Sequence, residues 1–194
     1  TYVTPDHQFG ALGHGITDSD TGELLTISGG SLYDTEILRI EKGRRGTPGE
    51  VSGMITYAER YREGTILKNT KVGVFGEMNS TLARQLSEEP VEVAFRQEIK
   101  TGPAVIRSAV SGEMKEYAVQ IQEIRINESD VNKGMILKVT DPELLELTGG
   151  IVQGMSGSPI LQNGRLIGAV THVFVNDPTK GYGGFAESML EAGE

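Results

Sequence analysis

Ser156 stands in Gly154-Met155-Ser156-Gly157-Ser158-Pro159, a serine with glycine two residues before it and glycine directly after. Glycines at those places let the backbone turn tightly around the side chain. A tight turn aims successive N–H groups into one small space, so the N–H groups of Gly154 and Ser156 could bind an oxyanion beside the hydroxyl. A serine hydroxyl becomes a nucleophile at neutral pH only with a base nearby. The chain has three histidines, His7, His14 and His172. His14 lies in Ala11-Leu12-Gly13-His14-Gly15-Ile16, where small neighbours allow another segment to approach the ring. His7 sits in a polar stretch, and His172 falls on a strand after the serine. An acid would complete the set by fixing the imidazole tautomer and stabilising its charge. Asp18 and Asp20 belong to a turn-like Asp-Ser-Asp-Thr-Gly. Asp141 opens Asp141-Pro142-Glu143, which is equally a good helix N-cap. On spacing alone the cap is the stronger reading, and both remain open.

The elements after Ser156 would hold it in place. Pro159 begins an apolar run, Asn163-Gly164 is a hairpin signal, and Leu166 to Val173 reads as the return strand. This layout resembles the chymotrypsin and HtrA superfamily, in which a serine turn, a strand, a tight hairpin and a second strand follow in that order. Ser158 stands where that pattern usually has a second glycine. By the resemblance, Thr171, His172 and Val173 form the substrate-binding edge, and an extended peptide adds to it as a strand.

The whole chain agrees with an all-β protein. Its 194 residues suffice for two small barrels sharing an interface. It has 26 glycines, and its short apolar stretches recur at roughly ten-residue spacing between turn residues. The strand candidates are Glu36–Glu41, Val51–Tyr57, Lys71–Gly76, Val91–Phe95, Ala104–Val110, Glu116–Ile126, Met135–Val139, Ile151–Gln153, Pro159–Gln162 and Leu166–Val175. Short helices are expected from Asn79-Ser80 to Leu86, over Asp141 to Leu147 before Gly149-Gly150, and from Glu187 towards Gly193. A net charge of −9 argues against nucleic acid as a partner. With no cysteine there is no disulfide or zinc thiolate site, and neither metal nor cofactor is expected. No apolar run of about 18 residues is present to span a membrane. The basic turn Gly43–Gly49 does not match a phosphate loop. The opening residues, Thr1 to Asp6, read as the middle of a longer protein.

A closer resemblance extends over nearly the whole chain. Asp141-Pro142-Glu143-Leu144-Leu145, Thr148 to Ile160, Gly168 to Pro178, Gly181-Tyr182-Gly183 and the opening Phe9-Gly10-Ala11-Leu12-Gly13-His14 are similar to the SpoIVB peptidase family. The resemblance implies a serine endopeptidase of spore-forming bacteria on a two-barrel, chymotrypsin-like fold. It implies action in the space between forespore and mother-cell membranes, within a membrane-associated regulatory complex. There it would relieve inhibition of a membrane-embedded protease that activates a late sigma factor, and it would cleave itself. It implies a triad of His14, Asp141 and Ser156, and an upstream membrane segment and PDZ domain outside these residues. The rival expectation is a module with this fold that captures a peptide on Thr171–Val173 and, lacking upstream sequence, does not cut it.

Overall fold

The computed structural model describes residues 1–79 and 89–194. Among the described residues thirteen strands, β1 to β13, divide into two halves. The N-terminal half is a five-stranded sheet in the order β1 (Tyr2–Val3), β2 (Gln8–Ala11), β7 (Gly73–Met78), β6 (Arg62–Thr70), β3 (Gly30–Tyr33). A separate hairpin, β4 (Thr35–Glu41) with β5 (Glu50–Ile55), extends from it. The C-terminal half is a closed barrel of six strands. Its order is β10 (Met135–Val139), β13 (Lys180–Phe185), β12 (Arg165–Val173), β11 (Pro159–Gln162), β8 (Gly102–Ser108), β9 (Lys115–Ile124) and back to β10. The all-β, chymotrypsin-like expectation holds, with closure in the C-terminal half and an open sheet in the N-terminal half.

Alternation explains the barrel. On β9, Tyr117, Val119 and Ile121 point inwards and are buried. Met135, Leu137 and Val139 do the same on β10, and Ile106, Ile160 and Ile167 meet them from β8, β11 and β12. Each such side chain contributes roughly 1.5–3 kcal/mol by leaving water. The β11–β12 hairpin turns at Asn163-Gly164, where φ is 53° and 75°, the conformation that Asn-Gly adopts at low cost.

Among the described residues two α-helices close the architecture. α1 (Pro142–Thr148) follows β10, capped by Asp141 and stopped by left-handed Gly149. α2 (Ala186–Gly193) follows β13, buries Ala186 and Met189, and packs Met189 with Phe75 of the N-terminal sheet. The helix expected from Asn79-Ser80 to Leu86 falls outside the described residues beyond Asn79. Two expected strands take other forms. Val91–Phe95 makes a single parallel bridge, Val93 to Leu166. Ile151–Gln153 is a loop segment, buried at Ile151 and Val152 and exposed at Gln153, tied to β5 by the bridge from Gln153 to Glu50.

Candidate active site

The serine turn is built as its glycines require. Gly154 and Gly157 have φ of 99° and 85°, left-handed values that side chains disfavour. Met155, buried, anchors the turn to the barrel core. The Ser158 N–H donates to the Met155 carbonyl at 3.1 Å, the Gly157 N–H to Val170 at 2.8 Å, and the Val170 N–H to Ser158 at 3.0 Å. The turn is thus pinned to β12. Among the described residues the N–H groups of Gly154 and Ser156 donate to no backbone carbonyl outside the helices and strands.

His14 arrives from the other half. β2 ends at Ala11, and Leu12 and Gly13 follow with φ of 72° and 70°. A left-handed leucine is uncommon and costs on the order of 1 kcal/mol or more. The strain turns the chain across the sheet edge towards the barrel. A Cβ at Gly13 would lie 3.1 Å from Ala169 Cβ and 3.2 Å from Thr171 Cγ2. A Cβ at Gly157 would lie 2.6 Å from the Leu12 nitrogen. The His14 loop and the serine turn therefore touch backbone to backbone; Gly13 is small for that approach, whereas a Cβ at Gly15 would meet Leu24 and the Thr70 carbonyl of the N-terminal half. His14 Nδ1 lies 2.9 Å from the Gly15 carbonyl. When that nitrogen carries the proton, Nε2 is the free basic site.

The Ser156 hydroxyl donates to the Thr171 carbonyl at 2.9 Å. Thr171 Oγ1 donates in turn to the Asn132 carbonyl at 2.6 Å, which fixes the short 3-10 turn Val131–Lys133 against β12. His172, next along the strand, packs its ring on His14 with centroids 4.9 Å apart. Packing around His172 lowers its pKa, and the adjacent His14 lowers it further; Asp130 opposes this, and Lys133 adds to it. The imidazole is thereby biased towards neutrality. Asp130 itself is engaged by Lys133, 2.8 Å away, and by the Asn132 N–H at 3.1 Å. Sequence reasoning passed over Asp130, Asn132 and Lys133, because a short polar turn carries no periodic or motif signal.

Asp141 is placed elsewhere. Its carboxylate accepts from the N–H groups of Glu143 at 3.0 Å and Leu144 at 3.1 Å, as an N-cap, and from Ala118 on β9 at 3.2 Å. It sits on the β9–β10 seam, and β9 is three strands from β12 in either direction round the six-stranded barrel. Among the described residues no hydrogen bond or ion pair joins it to His14. The structure brings together Ser156, His14, Gly154 and the Thr171–Val173 edge, and it leaves Asp141 as the cap of α1. The physical reason is local: with Pro142 at the first helical position, α1 opens at Asp141, and its free N–H groups capture the nearest carboxylate.

A hydroxyl on a rigid turn, an imidazole whose loop packs on that turn and a strand beside both suit acyl transfer on a peptide bond, and the class is serine endopeptidase. The sequence model of the SpoIVB peptidase S55 family matches residues 1–190, and the chain belongs to that family. No significant match is found among curated proteins. Among solved structures, the Rv3671c protease from M. tuberculosis in its active form is similar at 13% identity and TM-score 0.45, covering 79% of this chain and 76% of that one. The HtrA-type protease AlgW with tripeptide is similar at 12% identity and TM-score 0.46, covering 74% of this chain and 54% of that one.

Proposed function

We propose that Ser156 is the nucleophile and His14 the general base of this serine endopeptidase. The observation that carries the reading is the backbone contact of the Leu12–His14 loop with the serine turn, which sets both groups at one end of β12. The peptide pairs as an added strand with Thr171–Val173. An N–H of that peptide competes with Ser156 for the Thr171 carbonyl and releases the hydroxyl towards His14. Ser156 then attacks the scissile carbonyl, and His14 takes the proton and returns it to the leaving amine. The Gly154 and Ser156 N–H groups hold the oxyanion. The Gly15 carbonyl orients the imidazole.

The family supports a wider setting: a protein substrate in the space between forespore and mother-cell membranes, within a membrane-associated regulatory complex, where cleavage relieves inhibition of a membrane-embedded protease that activates a late sigma factor.

The test is fluorophosphonate labelling and cleavage of a protein substrate by the wild type, Ser156→Ala and His14→Ala. Labelling and cleavage are expected to be lost in both variants, and cleavage retained by pure Ser156→Ala refutes the assignment. One observation favours a second reading, a module that captures a peptide without cutting it: the Ser156 hydroxyl is bonded to Thr171 rather than to His14. Specific labelling of Ser156 excludes that reading.

A further inference from the structure

We infer that Ile151 closes the slot for the substrate side chain next to the scissile bond and restricts the enzyme to small, uncharged residues there. This rests on the substrate strand pairing with Thr171–Val173 as proposed above. A carbonyl held at Ser156 belongs to a residue whose side chain turns away from solvent, behind the strand edge. Three segments bound that space: Gly150–Gln153 leading to the serine turn, Val173 on β12, and Gly181 on β13, which pairs with Val173 in register.

Gly181 leaves the wall bare, yet the room is already taken. A Cβ built on Gly181 would lie 2.6 Å from Ile151 Cδ1 and 2.6 Å from the His172 carbonyl. Ile151 is 2% exposed, so its side chain is enclosed rather than swinging at the surface. Its N–H donates to the Pro178 carbonyl at 2.8 Å, and a Cβ at Gly150 would collide with that same carbonyl. The floor under Ile151 is therefore backbone in contact with backbone and does not recede. Val173 packs beside Ile151 against the same core.

Among the described residues that bound the space, Gly150, Ile151, Val152, Val173 and Gly181 carry no charge. The hydroxyl of Thr148, two residues before Gly150, is buried and spends its proton on the carbonyls of Leu144 and Gly150. A Lys or Arg side chain would enter without a counter-ion, and a Phe or Leu would meet the isoleucine tip. Gly, Ala and Ser fit without displacing it.

The test is the second-order rate at which a series of peptidyl phosphonates labels Ser156, with Gly, Ala, Ser, Leu, Phe or Arg next to phosphorus. The wild type is expected to favour Ala over Leu and Phe by about 10–200-fold for each step in size, the range that pocket fit supplies. Ile151→Ala is expected to raise the Leu-to-Ala rate ratio at least about tenfold. Because Ile151 is a core residue, Ile151→Val is measured in parallel, and a smaller shift in the same direction is expected. A wild type that reacts with Phe or Arg as fast as with Ala overturns the inference. So does an unchanged ratio in folded Ile151→Ala or Ile151→Val. Labelling that persists in Ser156→Ala, or that is absent with every probe, removes the underlying assignment of the site and this inference with it. A flat profile that still depends on Ser156 removes this inference alone.

Discussion

Replacing Asp141 separates two roles that one carboxylate could hold. As an N-cap it satisfies the Glu143 and Leu144 N–H groups, and it also accepts from Ala118. Asp141→Ala removes the cap, at about 1 kcal/mol. Losing the bond to Ala118, an exposed strand position, adds about 0.5–1 kcal/mol. The sum is about 1.5–2 kcal/mol, which lowers the melting temperature of a chain this size by about 3–8 °C. Asp141→Asn keeps a cap of nearly equal quality, so its melting temperature is expected to stay close to that of the wild type. The cap reading expects kcat of the Asn variant within a few-fold of wild type. The assays are thermal unfolding by circular dichroism and Ser156-dependent peptide cleavage, on the same preparations. A fall in kcat approaching 10⁴-fold in Asp141→Asn, at unchanged melting temperature, is what an acid orienting the base would produce. That result would refute the placement of Asp141 argued above.

Two further outcomes follow from the site. Gly157→Ala forces a side chain into left-handed backbone, 2.6 Å from the Leu12 nitrogen. Cleavage is expected to fall at least about a hundredfold, since displacing reacting groups by an ångström costs that much, whereas wild-type rates in this variant would contradict the contact. His172 has its pKa held below the usual value by burial and by His14. Above about pH 6.5 it is neutral in both states. Below that the unfolded chain binds a proton that the folded chain resists, so the folded state loses stability as pH falls. Denaturant titrations at pH 7.5 and 5.5 are expected to show a smaller loss for His172→Gln than for wild type, and equal losses would show that the ring is not desolvated.

Much of the barrel was legible because its residues alternate. Met135–Val139 and Pro159–Gln162 are strands over those residues, and the alternation of Tyr117, Val119 and Ile121 marks β9. The N-terminal sheet was harder to read. β6 mixes Arg62, Glu63, Lys68 and Asn69 with apolar residues, and no period survives the mixture. β2 is four residues long and ends in a strained turn whose purpose appears only against the barrel. At the site, the serine turn and its hairpin could be read locally, since each glycine and the Asn-Gly pair has a backbone meaning. Contact between His14 and β12 joins residues far apart in the chain, and nothing local encodes it. At Asp141 the local signal, the helix cap, was legible in the sequence and is the role that the structure displays.

The proposed base His14 and the proposed nucleophile Ser156 lie on separate halves, an open sheet and a closed barrel, that meet where Leu12 and Gly13 touch the serine turn and β12. The strand edge that would grip a peptide lies wholly on the barrel. Grip on this reading needs the barrel alone, whereas cutting needs the two halves held in contact through Gly13 on Thr171 and His14 on His172. On that reading, drawing the N-terminal sheet back by an ångström would work as a clutch, leaving a substrate engaged on the barrel while the chemistry idles.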